Sequence, residues 1–64
     1  MKYYITWPGH MGVSMYLAEN GSITASPARA ILFDYKAGNE VLELLKKNQP
    51  GQWDDAHLLP VVIV

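Results

Sequence analysis

Apolar and polar residues alternate along the first part of the chain, and this alternation predicts two β-strands. Aromatic and β-branched side chains alternate from Tyr3 to Trp7 until Pro8 ends the run, which is typical of a strand. The same period of two over residues 13–18 predicts a second strand. A glycine-flanked connection over residues 9–12 joins them.

Asn20-Gly21 predicts a turn directly after the second strand. Both residue types tolerate positive φ, which a two-residue hairpin turn requires. A third strand therefore follows the turn. The register of such a hairpin pairs Leu17 with Thr24 and Ala18 with Ile23.

Two interpretations fit the segment that begins at Ser26-Pro27. Serine before proline is typical of a helix start, whereas the apolar run over residues 30–33 suits a strand. One helix over residues 27–48 would carry Gly38 in its interior, which costs about 1 kcal/mol relative to alanine. We therefore prefer a turn at the Ser-Pro step followed by a short strand.

A helix from Tyr35 to Asn48 follows in this interpretation, with Asp34 or a neighbour as its N-cap. Pro50 and Gly51 end it. The helical period then turns four apolar residues inward, namely Val41, Leu42, Leu44 and Leu45.

Residues 58–64 are almost all apolar or β-branched and predict a last strand. Strands without polar alternation are typically covered on both faces, so this one is expected inside the sheet, with Pro60 at its start or at an unpaired position. The elements predict an α+β fold: a small antiparallel or mixed sheet, a hairpin plus further strands, with one helix packed on one face. Their order is ββ(β)αβ.

The length of 64 residues fits one small domain over residues 1–64, and half of the residues are apolar, which excludes a disordered tail. A chain of this size buries only about 60% of the surface that its unfolded form exposes. There are no cysteines, so disulfides cannot supplement the core. Self-association as a homodimer is therefore an alternative source of stability.

Five Lys and Arg against six Asp and Glu give a net charge of −1. Binding to nucleic acid through phosphates needs a clustered excess of cations, so a nucleic-acid partner is disfavoured. The start of the chain lacks the apolar stretch of a signal peptide, and the longest apolar run is too short to span a bilayer. We expect a cytoplasmic protein without a membrane partner.

Titratable residues cluster at Asp54, Asp55 and His57, and His10 is the second histidine. Their spacing matches no metal-ligand pattern, and paired aspartates before a strand commonly belong to a solvated turn. No strained nucleophile motif of the G-x-S-x-G type is present. The sequence therefore predicts no metal, no cofactor and no enzymatic activity.

Seven aromatic rings exceed what one thin core can cover. Tyr4 and Tyr16 fall on strand faces opposite to Ile5 and Met15, so one sheet face is expected to carry rings while the helix covers the other. Exposed aromatic residues are enriched at protein interfaces. A second small cluster under the loop of Trp53 is the alternative. The predicted partner-binding residues are Trp7, His10, Met11, Tyr16 and Trp53, with Asp54 and Asp55 as an acidic rim.

The order of these segments resembles small proteins encoded by phages and prophages. The resemblance rests on the strands at Tyr4-Ile5 and 12–17, on Ile23-Thr24, on Ala30 and Phe33-Asp34, and on the leucine-rich helix and valine-rich last strand. Gly38 departs from it, since those proteins usually have a good helix former there. The resemblance implies a compact non-enzymatic domain that binds and inhibits a host protein such as a polymerase, a nuclease or a CRISPR effector.

The leading hypothesis is therefore a small non-enzymatic domain that binds a larger host or phage protein. Two alternatives belong to other classes. One is a structural homo-oligomer built by pairing exposed strand edges. The other is a domain that stacks the bases of single-stranded nucleic acid on its aromatic rings.

Overall fold

A computed structural model describes residues 1–61, which form a four-stranded antiparallel sheet and one α-helix. The predicted α+β class and the order ββ(β)αβ are confirmed. The last three residues of the predicted final strand lie outside the described residues. The elements are β1 (Lys2–Pro8), β2 (Ser14–Leu17), β3 (Ile23–Thr24), α1 (Tyr35–Asn48) and β4 (His57–Val61).

The strand order in the sheet is β3-β2-β1-β4, so β4 is an edge strand. The prediction that this strand lies inside the sheet is wrong. Its apolar residues face two different environments: Leu58 lies against α1, whereas Leu59 and Pro60 are exposed. One face of this edge strand packs on the core, and its other face can remain exposed to solvent. The composition of the segment does not show this difference between the two faces.

Pro60 lies opposite Tyr3 at a position where a proline breaks no sheet bond. Tyr3 exchanges both of its backbone hydrogen bonds with Phe33, at 2.8 and 2.9 Å, on the side of β1 away from β4. Because bonded and non-bonded pairs alternate in antiparallel ladders, Tyr3 and Pro60 form a non-hydrogen-bonded pair. The missing N–H of Pro60 therefore lies on the outer edge of β4, as the expected unpaired position requires.

The hairpin of β2 and β3 has a different register from the predicted one. Leu17 pairs with Ile23 and Tyr16 with Thr24, one residue away from the expected partners. The turn holds three residues, Glu19–Gly21, and not two. It does use positive φ as expected, with 59° at its central Asn and 74° at the following Gly.

Residues 27–33 form a single 3-10 turn, Pro27–Arg29, and then an extended stretch. This excludes the continuous helix from residue 27. The short strand expected after the turn is reduced to two isolated bridges, which join Ala30 to Ala18 and Phe33 to Tyr3. The stretch thereby closes the gap between the end of β2 and the start of β1.

The helix α1 packs against β1 and β4, and Gly38 lies close to Leu58 of β4. A Cβ on this buried glycine would lie 2.8 Å from Cδ2 of Leu58 and 3.2 Å from Cβ of Phe33. Leu58 is also the strand partner of Ile5, whose side chain is fully buried. The glycine that weakens the helix locally is therefore what lets α1 settle onto the core.

The inward face of α1 follows Gly38, Val41, Leu42 and Leu45, which share one helical stripe and are buried or half-buried. Leu44 is 57% exposed, so its predicted inward orientation is wrong. In the helical period, Leu44 lies beside this stripe and not within it. The sequence offers four neighbouring leucine and valine positions, but one stripe can bury only three of them.

Candidate binding surface

Trp53 is 6% exposed and cannot serve as an exposed contact residue. Its ring lies edge-to-face on Trp7 with centroids 4.7 Å apart, and its indole N–H donates a hydrogen bond of 2.6 Å to Oε1 of Gln49. Burial and a satisfied polar end are the usual signs of a structural tryptophan. The expectation that Trp53 is exposed is wrong, and the alternative of a second small cluster under its loop is confirmed.

The sheet register places most of the predicted site residues at one end of the molecule. The end of β1, the start of β2 and the start of β4 coincide there, because Pro8 pairs with Ser14 and Thr6 pairs with His57. The connections over residues 9–13 and 49–56 therefore share this end, which we call the loop end. Its exposed members include His10, Met11, Asp54 and Asp55.

Two turns in the chain have the same backbone conformation. In His10–Gly12 the central residue has φ 59° and ψ 30°, and in Glu19–Gly21 it has φ 59° and ψ 27°. The glycines that follow have φ of 77° and 74°. The closing bonds also match, from Gly9 N–H to Val13 O at 2.7 Å and from Ala18 N–H to Ser22 O at 2.8 Å.

The two turns differ in the residue that fills the left-handed position. Asn20 is a residue type that adopts this conformation readily, whereas Met11 is not. For residues other than glycine, asparagine and aspartate, the left-handed conformation costs about 1–2 kcal/mol. Met11 recovers nothing by burial, since its side chain is 88% exposed. The fold by itself therefore gives no reason for a methionine at this position.

The sheet face turned away from α1 carries an aromatic pair. Side chains alternate along a strand, so the helix-facing Ile5 leaves its neighbours Tyr4 and Thr6 on the other side. The rings of Tyr4 and Tyr16 meet edge-to-face there, with centroids 5.3 Å apart. This matches the predicted separation of rings and helix. We call this the open face, and its residues are Tyr4, Thr6, Tyr16, Thr24 and Leu59.

The open face contains one buried, hydrogen-bonded side chain and two half-exposed rings. The Thr6 hydroxyl donates a hydrogen bond of 2.8 Å to the carbonyl oxygen of Met15, which satisfies a buried polar group. Tyr4 and Tyr16 are half-buried. Because the ring pair is preorganised by mutual contact, a partner that lies on it loses little side-chain entropy.

In the predicted titratable cluster, His57 contacts a backbone atom: its Nδ1 lies 3.0 Å from the carbonyl oxygen of Asp55. Within residues 1–61 no three His, Asp or Glu side chains are placed to hold a metal ion. The strongest charge contact lies elsewhere: Lys2 Nζ is 2.7 Å from Asp34 Oδ1. The hydrogen bond from Lys2 and its positive charge lower the pKa of Asp34.

Asp34 occupies the N-cap position of α1, but its side chain does not cap the helix. The carboxylate turns to Lys2 instead and ties the start of β1 to the start of α1. Asp34 is therefore at the N-cap position, as predicted, but its side chain does not form the expected capping hydrogen bond.

Comparisons of this chain with models of known protein families, with curated proteins and with solved structures found no match. In the part of the chain that the structure describes, no helix is long and apolar enough to cross a membrane.

Sequence reasoning predicted Met11 as a contact residue but missed its backbone conformation and the exposure of Val13 nearby. The available signal was the repeated turn pattern, since His-Met-Gly and Glu-Asn-Gly each precede a strand. Comparing the two turns singles out the methionine. Of the remaining predicted residues, Trp7 is half-buried beneath the loop end and Tyr16 lies on the open face.

Proposed function

We propose that this chain is a small non-enzymatic domain that binds a larger protein, and that Met11 is the central contact. The binding surface is the loop end together with the adjoining open face. The exposed methionine in a left-handed turn carries the proposal. Its left-handed conformation costs free energy, and its side chain is almost fully exposed, so no contact within the domain offsets that cost. Contact with another molecule would offset it.

The side chains around Met11 suit a protein partner. Methionine is flexible and polarisable and is frequent at adaptable protein-binding surfaces. Val13 extends the exposed apolar area on the same turn, and Asp54 and Asp55 add negative charge at the loop end. A surface that carries this negative charge offers no attraction to a polyanion. The preorganised pair of Tyr4 and Tyr16 adds aromatic contacts of the type common in interfaces.

A domain of this size would act by covering a site on its partner. The resemblance to small phage and prophage proteins supports inhibition or redirection of a host polymerase, nuclease or CRISPR-type effector as the outcome. Of the two alternatives, a homo-oligomer would pair exposed strand edges, whereas a single-strand-stacking domain would use the same aromatic rings. The edge-to-face contact of the two tyrosines covers part of the ring surface on which a base would stack.

Photo-crosslinking tests the proposal. A photoreactive amino acid replaces Met11 in one sample and Asn20 in a second, and both samples are mixed with lysate of a bacterial host. Because the two positions share one backbone conformation, the second sample controls for the exposed turn itself. We expect a crosslinked protein that is specific to position 11 and that binds the unmodified domain when both are purified.

Met11→Asn provides the second arm of the test. Asparagine suits the left-handed backbone, so the variant should fold at least as well as the wild type and lose most of the affinity for the crosslinked protein. Equal crosslinking at both positions, or full affinity of Met11→Asn, would show that the methionine is not the contact. Size-exclusion chromatography of the domain alone checks for a homo-oligomer, and titration with single-stranded oligonucleotides at two salt concentrations checks for base stacking.

A further inference from the structure

The three methionines of this chain differ in how far their side chains are open to solvent. Met11 is 88% exposed and Met1 is 81% exposed, whereas Met15 is half-buried. The chain has no cysteine, so these thioethers are its only sulfur groups. Because peroxides attack accessible sulfur, their reaction with this domain is expected to fall on the exposed methionines.

The turn that presents the Met11 side chain also covers the Met15 side chain. A Cβ on Gly9 would lie 2.5 Å from Cγ and 3.2 Å from Sδ of Met15, so the Gly9 backbone packs directly on that thioether. The Gly9 N–H donates to the Val13 carbonyl oxygen at 2.7 Å and closes the turn that has Met11 at its tip. We therefore expect two nearby thioethers of very different reactivity.

Oxidation of Met11 should leave the fold unchanged. The product, a sulfoxide, is polar, and the equivalent position of the second turn already carries the polar side chain of Asn20. Because the Met11 side chain is almost fully exposed, its oxidation disturbs no packing within the domain. The same reaction at Met15 would place a polar oxygen against the Gly9 backbone and would cost stability.

We propose that Met11 is a site of reversible oxidation by peroxides and that its sulfoxide releases the partner protein. This inference rests on the function proposed above, in which Met11 is the central contact. A lone pair of the Met11 sulfur attacks one oxygen of hydrogen peroxide, the O–O bond breaks, and the departing hydroxide takes up the remaining proton as water. The sulfur is oxidised by two electrons, and the peroxide is reduced by the same two.

The sulfoxide changes the chemistry of the contact and can be reduced again. An exposed methionine binds through a flexible apolar side chain, and oxidation makes that side chain polar. In an apolar pocket of a partner, the new oxygen would lack a hydrogen-bond donor, so the affinity should fall about tenfold or more. A methionine sulfoxide reductase restores the thioether: two thiols supply two electrons and become a disulfide, and the oxygen leaves as water.

Peptide mass spectrometry of the folded protein treated with hydrogen peroxide tests the site itself. We expect Met11 to be oxidised several-fold faster than Met15, and at a rate close to that of Met1. Met1 precedes β1 and so provides an exposed reference at the opposite end of the sheet. In urea-denatured protein the three rates should become similar. Urea unfolding of the oxidised Met15→Leu variant should give the same free energy as before oxidation, since only exposed thioethers remain in it.

The effect on binding is measured with the protein recovered by crosslinking at position 11. The domain is treated with peroxide, the excess peroxide is destroyed, and the affinity is compared with that of the untreated domain. Wild type should lose about tenfold or more, and methionine sulfoxide reductase with a thiol should restore the affinity. Met11→Leu is apolar without sulfur, so its affinity, whatever its starting value, should not respond to peroxide. Met15→Leu is the matched control and should respond as wild type does.

Equal oxidation rates of Met11 and Met15 in the folded protein would overturn the proposal, as would a response to peroxide that persists in Met11→Leu. An unchanged affinity of the Met11 sulfoxide would also overturn it. If Met11→Asn loses affinity in that case, the function proposed above stands without this regulation. Full affinity of both Met11→Asn and the sulfoxide, or the absence of any protein crosslinked specifically at position 11, would reject the function and the regulation together.

Discussion

Met11 and Asn20 occupy equivalent positions in two turns of matching backbone, each with φ 59°. The turn around Asn20 shows which residue this geometry accepts at low cost, and the turn around Met11 departs from it. The molecule therefore contains its own reference for judging the methionine. The comparison separates what the fold requires, a left-handed residue before glycine, from what the fold does not explain, a large exposed apolar side chain.

Exchanging the two residue types tests this relationship. Met11→Asn should raise the free energy of unfolding by about 1 kcal/mol, because asparagine tolerates the left-handed region better than methionine. Asn20→Met should lower it by a similar amount. Urea unfolding followed by circular dichroism measures both. A stability loss in Met11→Asn would mean that the methionine makes contacts within the domain after all.

Gly38→Ala should destabilise the protein although the position is helical. Alanine is favoured over glycine by about 1 kcal/mol in an exposed helix interior, but here the added Cβ meets Leu58 and Phe33. Overpacking costs about 1–3 kcal/mol, so the net change should be a loss of about 1 kcal/mol in urea unfolding. The exposed neighbour provides a control, since Ala37→Gly should cost about 1 kcal/mol through propensity alone.

A double variant locates the cause of that loss. In a Leu58→Ala background, the same Gly38→Ala change should cost less, because the nearest obstructing methyl group is absent. If Gly38→Ala lowers the free energy of unfolding equally in both backgrounds, Leu58 does not obstruct the added methyl group. The close approach of α1 and β4 then does not explain the loss of stability.

Gln49→Ala should destabilise the loop end by about 1–3 kcal/mol. It removes the acceptor of the Trp53 indole N–H and leaves a buried donor without a partner. Gln52→Ala, an exposed change in the same loop, is the control and should be close to neutral. Urea unfolding measures the stability, and tryptophan fluorescence reports whether Trp53 becomes more accessible. Equal stabilities of the Gln49→Ala and Gln52→Ala variants would contradict the anchoring role of the hydrogen bond between Trp53 and Gln49.

The pairing of Lys2 with Asp34 makes stability depend on pH in the acid range. The pKa of Asp34 is lowered in the folded state by the Lys2 hydrogen bond and charge. Its contribution is fully present above the pKa of the unfolded chain and is lost as the pH falls through the lower pKa of the folded state. Lys2→Gln should raise the pKa of Asp34 and remove this part of the acid dependence.

An NMR titration of the Asp34 carboxyl carbon measures that pKa in both proteins. Lys46→Gln removes a charge at the far end of α1 and should leave the pKa of Asp34 in place. The same titration curve for Asp34 in wild type and Lys2→Gln would show that the ion pair does not persist in solution.

The local elements of this protein follow from its sequence. The alternation from Tyr3 to Trp7 determines β1, because its period of two fits a strand alone. The separation of Tyr4 from Ile5 onto two faces follows from the same period. The helical period places Val41, Leu42 and Leu45 on the inward face of α1, but it did not separate Leu44 from them. The turn residues at 20–21 likewise indicated positive φ where it occurs.

Tertiary structure decided the features that depend on distant residues. A Cβ at Gly38 would meet Leu58 and Phe33, Trp53 packs on Trp7, and β4 pairs with β1 alone among the described strands, which leaves it at the edge of the sheet. None of these contacts joins neighbours in the chain. Periodicity reports which face of an element is apolar, whereas the partner that covers that face is selected by packing over the whole domain.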